Sequence, residues 1–171
     1  NVMIGKWAST NPDLSTIDNN VFIGVEAGAL VEANASSTES THNIFIGHTA
    51  GGGQETPYQN IAIGSDSGKW IQSNCNVCLG WGAGTGLEGT PTTGANNTYV
   101  GRVAGNQVNG ASEQNTVIGS VAMANYHGAT TDPFKKNVMV GYTSGLQLHG
   151  GENNTWIGTS VSSATTAAKE N

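Results

Sequence analysis

The residues able to do chemistry in this chain are few and thinly spread. Cys75 and Cys78 form a C-x-x-C pair. Such a pair can be a redox couple or half of a zinc site, but the sequence holds no second pair to complete a metal site. Residues three apart on a strand point to opposite faces, which makes a local disulfide awkward, so both are read as structural thiols. Glu26 with Asp66, or Asp13 with Asp18, could be brought together as the two carboxyl groups, about 5–9.5 Å apart, that glycoside hydrolysis needs. Nothing in the sequence favours either pair, and the acidic residues are scattered as solvated surface groups would be, so no enzyme is expected. The histidines are His42, His48, His127 and His149. One per chain could bind a metal only as a set of three about a threefold axis. His48 occupies a slot that elsewhere holds Lys, Val, Ser, Trp, Arg, Tyr or Thr, the variety of an exposed position. No metal and no cofactor are expected.

The other candidates are aromatic. Trp7, Tyr58, Trp70, Trp81, Tyr126, Phe134 and Tyr142 lie in or beside polar segments. An aromatic face pairs an apolar platform with polar edges and suits sugar rings, so these seven are the candidate receptor contacts; the alternative for each is a cap on the hydrophobic stack at a coil corner. Trp70 and Trp81 flank the segment at Asn76 on either side and are expected to share a surface. Tyr99 and Trp156 sit inside apolar segments and are expected in the core.

The elements that must position these side chains come from a repeat. The pattern Asn-[Val/Ile/Thr]-x-[Ile/Leu/Val]-Gly begins at Asn1, Asn20, Asn43, Asn60, Asn76, Asn97, Asn115, Asn137 and Asn154. No insertion falls within any of the nine copies, although their spacing ranges from 16 to 23 residues. Self-similarity at such a period marks a stacked architecture. With the Asn as position 0, positions 1 and 3 are almost all β-branched and share one face of a strand. Position 2 lies on the opposite face and holds Met3, Phe22, Phe45, Ala62, Cys78, Tyr99, Val117, Met139 and Trp156, none of them charged. Strands apolar on both faces belong to covered parallel sheets. The position-4 glycine ends the strand in a sharp turn. Small pairs such as Ala27-Gly28, Ala50-Gly51 and Ala104-Gly105 follow it and suggest backbone close to backbone, near a symmetry axis. The nine invariant Asn residues predict a ladder of stacked amides at a turn.

The pattern thus predicts an all-β, parallel β-solenoid of about nine rungs, roughly 40 Å long at ~4.8 Å per rung. One apolar face would line the coil. The other needs cover, and three chains packed about a common axis would supply it, so a homotrimer is expected. The repeat domain is placed at 1–163, with 164–171 a tail or linker to a missing segment. All four prolines fall between copies, consistent with their exclusion from strand ladders.

Composition narrows the function. The 171 residues are only 11% charged, with a net charge of −6. There is no clustered Lys/Arg footprint for nucleic acid, and no stretch approaches the ~20 apolar residues of a membrane span. The chain opens on a repeat rather than on Met, and is read as a piece of a longer protein. A flat ice-binding array would need a persistent Thr column, whereas position 1 supplies only Thr98, Thr116 and Thr155.

The copies NVFIGVEAG, NIFIGHTAG, NIAIGSDSG, NTYVGRVAG and NVMVGYTSG resemble the N-T-A-I-G-x-x-A-G repeats of bacteriophage tail-fibre proteins. They are also similar to the S-V-A-I-G repeats in the head domains of trimeric autotransporter adhesins. Both resemblances imply a trimeric β-solenoid or β-roll displayed at a surface for attachment to cells. The long, uneven, Gly/Thr/Asn-rich connectors look more like the phage proteins. The resemblance therefore implies a non-enzymatic tail-fibre segment of a virion that binds a bacterial surface glycan or outer-membrane protein. The alternatives are an adhesin head on a bacterial surface and a purely structural fibre shaft.

Overall fold

In the computed structural model the described residues are 1–10, 17–31, 40–54, 57–87, 93–106, 111–124, 134–146, 150–161 and 168–169. They form an all-β solenoid without a helix. Nine three-residue strands stack in parallel: β1 (Val2–Ile4), β2 (Val21–Ile23), β3 (Ile44–Ile46), β4 (Ile61–Ile63), β5 (Val77–Leu79), β6 (Thr98–Val100), β7 (Thr116–Ile118), β9 (Val138–Val140) and β11 (Thr155–Ile157). The register is constant, so that Phe22 pairs with Phe45, Tyr99 with Val117 and Met139 with Trp156. A second, three-stranded parallel sheet joins β8 (Phe134–Lys135), β10 (Gly151–Glu152) and β12 (Ala168–Lys169). β12 falls within the stretch read from the sequence as a tail. It pairs in register with β10, so the stack extends past residue 163.

Position 2 of each strand points into the coil and the flanking positions point out. From β2 to β11 every position-2 side chain is buried. The rings of Phe22 and Phe45 stack 5.2 Å apart, and Ile17, Val31, Ile71 and Met123 fill the interior beside this column.

Glycine is demanded at position 4 by its neighbours along the axis. Gly101 has φ +133°, and a Cβ there would sit 2.4 Å from the carbonyl oxygen of Gly119. Each position-4 glycine from Gly5 to Gly141 meets the next one in the same way, at 2.3–2.6 Å. The small column four residues later has another cause. A Cβ on Gly51 would strike the Phe45 ring at 2.5 Å, and one on Gly105 the Tyr99 ring at 2.2 Å. These small residues make room for the chain's own interior side chains, which corrects the expectation that they approach a symmetry axis.

The asparagines carry the sheet's hydrogen bonding round the corner before each strand. The Oδ1 of Asn97 accepts the main-chain N–H of Asn115 at 3.0 Å and its Nδ2–H at 3.0 Å. The Nδ2 of Asn97 donates in turn to Asn76 Oδ1 and to the carbonyls of Gly94 and Ser112. The main-chain bond to the preceding Oδ1 recurs at every step from Asn20 to Asn154. Asn60 departs from the pattern only in its Nδ2, which donates to Gln54 Oε1 and the Ser73 carbonyl.

Removing a buried acceptor strands its donors at about 1–3 kcal/mol each. Asn97→Ala strands a main-chain and a side-chain donor of Asn115 and is expected to cost about 3 kcal/mol or more. Asn1→Ala, on the exposed first rung, is expected to cost about 1 kcal/mol. Urea unfolding followed by circular dichroism checks both values.

Candidate functional site

Fixed register turns every repeat position into a line parallel to the solenoid axis. The N–H of position 6 donates to the position-5 carbonyl of the preceding rung, as in Val103 to Trp81, Val121 to Arg102 and Thr143 to Ser120. Trp81, Arg102, Ser120 and Tyr142 therefore occupy one line on four consecutive rungs. Trp81 is 52% and Tyr142 57% exposed. The Arg102 guanidinium lies 5.3 Å from the Trp81 ring centroid, within the range of a cation–π contact.

A groove runs beside this line on the first four rungs. Its walls are position 6 (Trp7, Glu26 and Thr49) and position 9 (Thr10, Ala29, Gly52 and Lys69), with Leu30 beside them; its volume is about 400 Å³. It exists because position 9 carries small residues on rungs two and three. Trp7 closes one end and is 55% exposed, with the Lys6 ammonium 3.9 Å from its ring centroid. At the other end Lys69 pairs with Asp66 at 3.5 Å. Thr49 also donates to Asp66 Oδ1, at 2.6 Å. Partial burial opposes ionisation of Asp66, but the Thr49 hydrogen bond and the Lys69 charge outweigh it and hold the carboxyl below its ordinary value. A proton-donating carboxyl needs the opposite shift. Asp66 and Glu26 lie two rungs apart on the position-6 line, roughly 9–10 Å at the inter-strand spacing.

The structure disperses the other aromatic candidates. Tyr58 is exposed and meets the His42 ring edge-on at 6.2 Å. Trp70 is half-buried and covers Gly53, where a Cβ would lie 2.2 Å from its ring. Trp81 has the Arg102 guanidinium of the following rung against it, and Trp70 covers Gly53 of the preceding rung. Phe134 is a correction. It is fully buried in β8, 6.4 Å from the Trp156 ring, because three residues before the Asn the chain already faces the interior. Tyr126 lies outside the described residues, as do Asp13, His127 and His149.

Cys78 is buried beneath Gly84 and Cys75 is half-buried; neither forms a disulfide. Among the described residues no cluster of His, Cys, Asp or Glu could hold a metal, and no helix is long and apolar enough to cross a membrane.

The residues missed from sequence are Thr10, Leu30, Thr49 and Lys69 in the groove and Arg102 beside Trp81; Glu26 was weighed only as half of a hydrolytic carboxyl pair. Counting outward from each position-4 glycine would have placed them, since each shares its position number with residues on other rungs, Leu30 with Gly53 and Trp70 among them. Comparison with protein-family models, with curated proteins and with solved structures finds no match.

Burial pushes the Cys78 thiol up to about 12, and the thiolate is the reactive species. Iodoacetamide at pH 8 is therefore expected to label Cys75 alone in the folded protein, and both cysteines after denaturation. Intact-mass spectrometry distinguishes one adduct from two.

Proposed function

We propose that this chain is a non-enzymatic attachment module: a segment of a trimeric bacteriophage tail fibre, carried on the virion, that binds a glycan or protein of the bacterial outer surface. The observation that carries the reading is the outward face of the nine-stranded sheet. Positions 1 and 3 form two parallel lines of Val, Ile, Leu and Thr along its whole length. Val2, Ile4, Ile63, Ile118 and Ile157 remain exposed there, Ile4 at 58%. Large contiguous apolar patches mark interaction sites.

The coil is closed without help. The chain exposes 7795 Å², close to the ~7,900 Å² expected of a folded monomer of this mass. What the outward face lacks is polarity rather than packing. A stripe this long and straight, repeated identically on every copy, suits burial against copies of itself about a common axis. The exposed corner residues Trp81 and Tyr142, with Arg102 beside Trp81, are the proposed receptor contacts. The spread of single carboxylates and the depressed Asp66 favour binding over hydrolysis.

Sedimentation equilibrium tests the assembly. The expected mass is three times the 17.5 kDa chain, and Ile63→Asp, which places a charge in the stripe, is expected to yield monomer with an unchanged β-rich circular dichroism spectrum. A wild-type chain that sediments as a monomer contradicts the trimer. Labelled protein should also adhere to at least one of a panel of intact Gram-negative cells. Adhesion to none of them, with the trimer present, points to a shaft whose binding lies elsewhere.

A further inference from the structure

We propose that the groove between positions 6 and 9 of the first four rungs binds a neutral pyranose unit of a surface oligosaccharide; this rests on the attachment reading and gives it a site. The groove's volume of about 400 Å³ falls within the range of small-molecule sites. Its lining is mainly apolar, supplied by Trp7, Ala29 and Leu30, with Thr10, Glu26, Thr49 and Lys69 as its polar groups. A pyranose has the matching form, with a C–H face that stacks on an aromatic ring and a rim of hydroxyls.

The charges select among sugars. Glu26 is half-buried on the groove wall, and among the described residues its carboxylate has no ion-pair or hydrogen-bond partner. An ionised carboxylate only accepts hydrogen bonds, so it suits two adjacent hydroxyls and repels an acidic sugar. Lys69, the cation in the lining, is already paired with Asp66, so an anionic substituent would have to compete for it. The Trp7 ring already has a cation, Lys6, at 3.9 Å, which argues against a cationic sugar on that face. Thr10 spends its hydroxyl proton on the Ala29 carbonyl and keeps its acceptor lone pairs for a sugar hydroxyl.

The test is an array of purified neutral, acidic and amino oligosaccharides, followed by calorimetric titration of any binder. The expected result is binding of a neutral oligosaccharide that weakens about tenfold or more in both Trp7→Ala and Glu26→Gln. Glu26→Gln is near-isosteric and leaves the exposed Trp7 in place, so a loss shared by both variants is not a folding defect. Unchanged circular dichroism and sedimentation mass check this directly. Binding untouched by either substitution, binding of acidic or amino sugars alone, or no binding on the array overturns the proposal. Cell adhesion separates it from the broader reading. Adhesion lost in Trp81→Ala with Tyr142→Ala but kept in Trp7→Ala and Glu26→Gln discards the groove and leaves the attachment module standing.

Discussion

The asparagine side chain at each corner stands in for a main-chain carbonyl, and the rest of the structure depends on it. At that corner the N–H of the incoming strand faces the rung below, and the Oδ1 of the preceding Asn accepts it. A side chain of this length reaches only when two Asn residues sit directly above one another. A slip of one residue would reverse every side chain between inside and outside and would also break each of these bonds. The position-4 glycines impose the same register from the other end of the strand, through a backbone approach too close for any Cβ. Between these two constraints only three residues need to be strand, which is why strands so short can stack so regularly.

Two further corners are set by backbone conformation. The residue before each Asn, from Asn19 to Asn153, and every residue at position 6 have φ between +50° and +62°. Asn, Gln and His suit that region or its exposure, whereas Val103 and Val121 adopt it at a cost. They hold it because the N–H of each bonds to the rung below. With the corners fixed, the connectors are free to differ in length, and the spacing between copies can vary without disturbing the stack.

Three surfaces follow, each a set of parallel lines: a filled interior, an aliphatic face and a corner of mixed aromatic and polar residues. The proposed functions follow these lines. The aliphatic face is uniform along the axis, which suits a partner with the same repeat. The corner changes from rung to rung, which suits recognition. Lys6 with Trp7, Lys69 with Trp70 and Arg102 with Trp81 each set a cation against an indole.

The strand positions and the division of their side chains between two faces were legible in the sequence, because the pentapeptide tolerates no insertion and alternation is a local property. The reason for the small column was not. Ala50 and Gly51 look alike whether they face another chain or the Phe45 ring, and only the coil's width decides. Phe134 was read as exposed because it lies in a polar connector. Its position three residues before Asn137 is matched by Gly151 before Asn154, a correspondence visible only when the repeat is counted backwards. The groove was illegible because its walls come from four separate repeats, and its width from what Ala29 and Gly52 lack.

Main-chain hydrogen exchange at the asparagines from Asn20 to Asn154 tests the stacked register most directly. The N–H groups of Asn43, Asn60, Asn76, Asn97, Asn115 and Asn137 are buried and bonded to an Oδ1 from the preceding rung, so they should be among the slowest in the chain, as slow as the strand amides that follow them. Rapid exchange at the six interior asparagines, at rates typical of exposed loops, would contradict the stacked register.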